Sequence, residues 1–134
     1  MPLLFDEDYI KLRDHGYSFE ESEQQRFFIF TNIQLQPGQY TVANCDVLVM
    51  IPGNYNQDGN DMFWTFPRLF LTSGNQIPAV MDSGGGDNRV WKNREFCRWS
   101  RHWNSGNGVW RPGKDNIISI YRRIDWALRN PEKQ

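Results

Sequence analysis

The chain has 134 residues, a formal net charge of −1, a pI near 6.1 and a high aromatic share of 15%. That length fits one domain that buries its core without staples, and the slightly negative charge argues against a protein built around phosphate contacts. No run approaches the ~18 apolar residues of a membrane span, and the two cysteines are too few for a secreted disulfide framework. The opening Met1-Pro2-Leu3-Leu4-Phe5-Asp6 lacks a signal peptide's basic end and long apolar run, so a cytoplasmic protein with reduced thiols is the expectation.

Asp6 to His15 reads as a short helix. Its acids stand in the first turn, Phe5, Tyr9 and Leu12 form an apolar stripe, and Gly16 offers the stop. Glu20-Glu21-Ser22-Glu23 reads as a solvated acidic connector. Phe27 to Leu35 is a strand, Pro37-Gly38 a turn, Tyr40 and Val42 the start of a second strand, and Cys45 to Ile51 a third that is apolar enough to be buried on both faces. Cys45 is placed in the core, where a thiol behaves as a small hydrophobe. Pro52-Gly53-Asn54-Tyr55 breaks the third strand, and Leu69-Phe70-Leu71 is a further short one. Thr72 to Asn88 is long and irregular. Its Ser83-Gly84-Gly85-Gly86 lacks the Gly-Lys-Ser/Thr and the helix that a phosphate loop needs, and reads as a connector. Asp115 is positioned to cap a helix from Asn116 to Arg129, with Ile117, Ile120, Tyr121, Ile124 and Leu128 on one apolar stripe. A helix, a run of antiparallel strands and a covering helix give an α+β fold with segregated layers and about four strands.

Chemistry concentrates late in the chain. Between Trp91 and Trp126 stand five of the six tryptophans, and from Arg89 to Lys114 seven basic residues face one acid, Glu95. Cys97-Arg98-Trp99-Ser100-Arg101-His102 lies at the centre of that window. The arginines beside Cys97 would lower its thiol pKa if their charges faced the sulfur. Arginines interleaved with tryptophans also suit a single-strand stacking groove, although the overall charge opposes that reading. Cys97 and His102 alone cannot form a zinc site, so neither a metal nor a cofactor is expected.

Several blocks together resemble a known family. Ile51-Pro52-Gly53-Asn54-Tyr55, a polar spacer and Asp61-Met62-Phe63 look like the proline-rich flap of the ubiquitin-conjugating (UBC-like) superfamily. A loop carrying Cys97, then Trp110-Arg111-Pro112 and the last helix, resembles its nucleophile loop, Trp-Ser-Pro element and crossover helix. Trp99-Ser100-Arg101-His102, Trp110 to Asp115 and Asp61 to Phe63 are similar to blocks of the superfamily's prokaryotic family E. The pattern departs from the superfamily in lacking His-Pro-Asn upstream of Cys97, with only Asn88 and Asn93 nearby. Cys97 also stands thirteen residues before Trp110, and the flap carries Tyr55-Asn56.

The resemblance implies a protein that receives a ubiquitin-like protein from an adenylating activating enzyme as a thioester and passes it on. A metal-dependent isopeptidase would complete the pathway. Cys97 would be the nucleophile and His102, or an asparagine, the donor to the thioester carbonyl. Binding contacts are assigned to Arg98, Arg101, Trp110 and Arg111. Ser100 or Ser105 is a weaker acceptor, through an oxyester. The alternative is a catalytically inactive scaffold that binds the ubiquitin-like protein or the activating enzyme, and the remote alternative is a nucleic-acid-binding module.

Overall fold

The computed structural model describes residues 2–102 and 110–133. Helix α1 spans Asp6–Asp14 and helix α2 Ile117–Arg129. Between them run strands β1 (Phe19–Ser22), β2 (Phe27–Gln34), β3 (Asn44–Met50), β4 (Phe63–Phe66), β5 (Arg89–Trp91) and β6 (Arg94–Trp99). They form one antiparallel sheet in the order β1-β2-β3-β4-β6-β5. The α+β class, the N-terminal helix and the C-terminal helix agree with expectation. The sheet has six strands where about four were expected.

The extra strands have physical reasons. Glu20 and Glu21 do not float in a connector. Glu20 pairs with Lys92 Nζ at 2.9 Å, and Glu21 accepts the Tyr9 hydroxyl at 2.8 Å, so an acidic segment is held as an edge strand beside β2. The β5–β6 hairpin turns through Lys92 and Asn93, both at positive φ without a glycine to announce the turn. The Lys92–Glu20 pair brings this hairpin's tip against β1, curling the sheet. Cys97 therefore sits within a strand, opposite Thr65 of β4, and not in a loop.

One sheet face packs against α2, burying Phe28, Phe30, Val47, Val49, Phe63 and Trp99 with Ile117, Ile120, Ile124 and Leu128. The opposite face buries Phe27, Ile29, Leu48, Trp64 and Phe96, partly roofed by Met62, Phe66 and Trp91. Strand β3 thus supplies both cores, as its apolar run predicts. Helix α2 starts one residue later than the sequence suggests. Asn116, not Asp115, caps it, with Oδ1 accepting from Ile118 N at 2.8 Å and Ser119 N at 3.4 Å. Tyr40 and Leu71 form only an isolated bridge.

Candidate functional site

The loop between β3 and β4 is fixed at one end of the sheet by a few polar side chains. Asp8 of α1 is 2% exposed. Its Oδ1 accepts from the Tyr55 hydroxyl at 2.9 Å and from Ile117 N at 3.1 Å, and its Oδ2 from Phe5 N at 3.0 Å. One carboxylate thereby ties the loop to both helices. Asn56 joins the same loop to the turn before α2. Its Oδ1 accepts from Gly113 N at 2.7 Å, its side-chain amide donates to Asp115 O, and its carbonyl accepts from Trp110 Nε1 at 2.8 Å. Gly59 lies so close to the Trp110 ring that an added Cβ would fall 2.1 Å from Cε3, so a glycine is required by space there.

Asp115 organises the turn itself, accepting from Arg111 N at 2.8 Å and from Arg111 Nη2 at 3.2 Å. Burial alone would raise its pKa. The Arg111 and Ser119 hydrogen bonds outweigh that and hold the carboxyl below its ordinary value. The Arg123 guanidinium lies over the Trp110 ring, 5.6 Å from its centroid. Trp110 is buried by these contacts, whereas the Arg111 side chain is mostly exposed.

His102 stands at the mouth of this loop, its Nδ1 3.3 Å from Asp61 Oδ2 in an exposed pair. It does not face Cys97. The β4–β6 pairing runs from Thr65–Cys97 to Phe63–Trp99, and His102 lies beyond the end of β6, past a turn in which Arg101 N donates to Trp99 O at 2.9 Å.

Cys97 is 1% exposed. Asn88 Nδ2 approaches its Sγ at 3.7 Å, while Asn88 Oδ1 accepts from Arg98 N at 3.0 Å. Burial pushes the thiol pKa up, Glu95 and Asp82 add to that, and Ser83 and Arg68 oppose it without prevailing. Arg94 and Arg98 do not lower it, because strand alternation turns them away. Arg94 pairs with Asp46 at 2.8 Å and lies over Phe66, Trp91 and Phe96 on the far face. Arg98 pairs with Asp87, and Arg101 is buried with Nη2 on Asn130 O at 3.0 Å. Cys45 is buried on β3 with its thiol pushed up to about 12 by desolvation and by Asp46.

The family model for prokaryotic E2 family E matches residues 4–131, nearly the whole chain. The chain belongs to prokaryotic E2 family E. No curated protein and no solved structure matches it. Family membership carries a ubiquitin-conjugating-enzyme-like role in general, and with it a general association with a ubiquitin-like protein and an activating enzyme.

In this family E chain the residues singled out from the sequence divide into separate places. Trp110 and Arg111 belong to the turn that receives the loop, His102 to its mouth, and Cys97 to the sheet interior. Ser100 is half-buried, its Oγ donating to Ala79 O at 3.3 Å, and Ser105 lies outside the described residues. Among the described residues the tryptophans and arginines do not line one groove, and Trp103 lies outside them. Trp99 and Trp110 are buried and Arg98 is tied to Asp87. Sequence reasoning missed Asp8 and Asn56, whose roles rest on partners more than forty positions away. Asp61 stood within a family block, and that was the available signal for its place beside His102. Among the described residues, no group of three or more His, Cys, Asp or Glu could hold a metal ion, and no helix is long and apolar enough to cross a membrane.

Proposed function

We propose that this chain is a conjugating-enzyme-like binding module that engages a ubiquitin-like protein and its adenylating activating enzyme without carrying the acyl group on Cys97. The observation behind this reading is the 1% exposure of Cys97 within a paired strand. A transthiolation acceptor must present a thiolate to a thioester on another protein. Here the thiol is covered and its pKa is raised by burial. The exposed features at the loop mouth, His102 with Asp61 and the Arg111 side chain, can contact a partner but include no cysteine.

A second reading, the thioester carrier implied by the sequence blocks, is favoured by one specific contact. The Asn88 amide, 3.7 Å from Sγ, is a hydrogen-bond donor beside the sulfur, where a thioester carbonyl would need one. The two readings part in a single experiment. The protein is mixed with the activating enzyme, ATP and the ubiquitin-like protein, and wild type, Cys97→Ser and Cys45→Ala are run on non-reducing gels. The binding-module reading expects a non-covalent complex and no thiol-sensitive adduct. A thiol-sensitive adduct present in wild type and Cys45→Ala but absent from Cys97→Ser would overturn it. An alkali-labile, thiol-resistant adduct surviving Cys97→Ser would direct attention to Ser100 and Ser105.

A further inference from the structure

The outer edge of β6 carries an interruption centred on Cys97. Above it, Val80 bridges Trp99, Met81 N donates to Arg98 O at 2.9 Å, and Ser100 N donates to Ala79 O at 2.9 Å. Below it, Arg89 pairs with Phe96 and Val90 with Glu95. Both stretches run antiparallel to β6 along the same edge, so they are two halves of one edge strand. A regular continuation from the Val80–Trp99 bridge would set Ser83 opposite Phe96, where Arg89 stands, so six residues are looped out at the level of Cys97. Backbone pairing of β6 is suspended there, and the looped-out residues fold back over the thiol.

Most of the contacts that hold this loop down are charged. Glu95 Oε2 accepts from Gly84 N at 2.7 Å and from Asn88 Nδ2 at 3.1 Å. Arg68 pairs with Asp82 at 2.6 Å at one end of the loop. At the other end Arg98 pairs with Asp87, whose carbonyl also accepts from Trp64 Nε1 at 2.8 Å. Ser83 hydrogen-bonds the Cys97 side chain. Apolar anchoring is slight. The loop runs through Ser83-Gly84-Gly85-Gly86 and contributes no residue to either core. Its two attachment points, Met81 and Arg89, are held by backbone bonds of the sheet that do not depend on the loop's conformation.

We propose that residues 82–88 are a gate over Cys97, shut by ionic contacts at its two ends and by Glu95 beneath it, which opens to expose the thiol while the sheet stays folded. The physical basis is local stability. A segment with little buried apolar surface, held by partly exposed charged hydrogen bonds, opens at far lower free energy than the strands that flank it. Glycines 84 to 86 lower the conformational barriers to that movement. Exposure of Cys97 is then set by the charges that hold residues 82–88, whether or not the thiol is ever acylated.

The test uses the intact protein and a small alkylating reagent, iodoacetamide, with mass spectrometry resolving Cys97 from Cys45. Cys45, buried in β3 away from the loop, reports opening of the whole domain. Two variants loosen the gate without replacing a group that hydrogen-bonds the sulfur. Asp87→Asn removes the Arg98 ion pair, and Gly85→Ala places a Cβ 2.2 Å from Met81 Cγ and 3.0 Å from Asp82 O, so the Met81 side chain or the cover must shift. Loss of the partly exposed Arg98 ion pair should raise the Cys97 labelling rate by about threefold in Asp87→Asn. Gly85→Ala should change it in the same direction, and Cys45 labelling should stay at the wild-type rate in both. Equal labelling of the two thiols in wild type, with parallel changes in the variants, would mean that Cys97 is reached only by global unfolding and would overturn the gate. So would a Cys97 rate that neither variant alters.

Discussion

Replacing Asp8 with alanine removes the acceptor that joins α1, the β3–β4 loop and α2. The structure fixes the size of the loss. Three donors lose their partner, and of these the Tyr55 hydroxyl and Ile117 N are buried, whereas Phe5 is exposed enough for water to satisfy its amide. Each buried donor left without an acceptor costs about 1–3 kcal/mol, which sums to about 2–6 kcal/mol. Water entering the vacated volume recovers part of this, so about 2–4 kcal/mol is expected. Asp8→Asn keeps one acceptor oxygen and should lose less. Urea denaturation followed by tryptophan fluorescence and circular dichroism measures it, with the m-value unchanged if both variants unfold in two states. A double-mutant cycle with Tyr55→Phe isolates the hydroxyl contact, and about 1–2 kcal/mol of coupling is expected. A loss below about 0.5 kcal/mol for Asp8→Ala, or simple additivity with Tyr55→Phe, would refute the reasoning.

Other expectations follow from the same contacts. Gly59→Ala drives a Cβ into the Trp110 ring and should destabilise by about 1–3 kcal/mol, read as a lowered urea midpoint. Asn56→Ala strips Gly113 N of its acceptor and Asp115 O of its donor, leaves the backbone bond to Trp110 Nε1 in place, and should cost about 1–2 kcal/mol in the same assay. The raised Cys45 pKa gives a sign to alkaline stability. The unfolded thiol ionises near 8.5 and the folded one near 12, so its contribution is complete below about pH 8.5 and declines by about 1.4 kcal/mol per unit above it. Stability measured by denaturation between pH 8 and about 10 should therefore fall more steeply in wild type than in Cys45→Ala, and parallel slopes would contradict the assignment. Fluorescence anisotropy with a labelled single-stranded oligonucleotide should detect no binding at physiological salt, and a tight, salt-sensitive complex would contradict the reading that Trp99 and Trp110 serve the interior.

Much of this fold was legible because hydrophobic period is a local signal. The stripe Ile117, Ile120, Ile124, Leu128 and the apolar run of β3 announce a covering helix and a central strand, and both stand where they were expected. Strand β1 was not legible, since Glu20 and Glu21 look solvated until Lys92, seventy-two positions away, and Tyr9 supply partners. The β5–β6 hairpin was hidden by a turn of Lys92 and Asn93 at positive φ, where glycine is the usual marker. The placement of Cys97 in a loop led to a second error about its electrostatics. Neighbours in sequence on a strand point to opposite faces, so Arg98 lies with Trp64 on the side away from the thiol. What raises the Cys97 pKa is burial, together with Glu95 on its own face and Asp82 from the looped-out segment, a long-range contribution that adjacent sequence does not reveal.

The proposed role leaves Cys97 uncharged, and discharge of the activating enzyme checks this. The enzyme is first charged with the ubiquitin-like protein, ATP is then removed, and decay of its thioester in the presence of a small amine is followed with wild type and with Cys97→Ala. The account predicts the same decay with both proteins and the same affinity of both for the charged enzyme. Accelerated decay with wild type that disappears in Cys97→Ala, while that variant still binds, would contradict it.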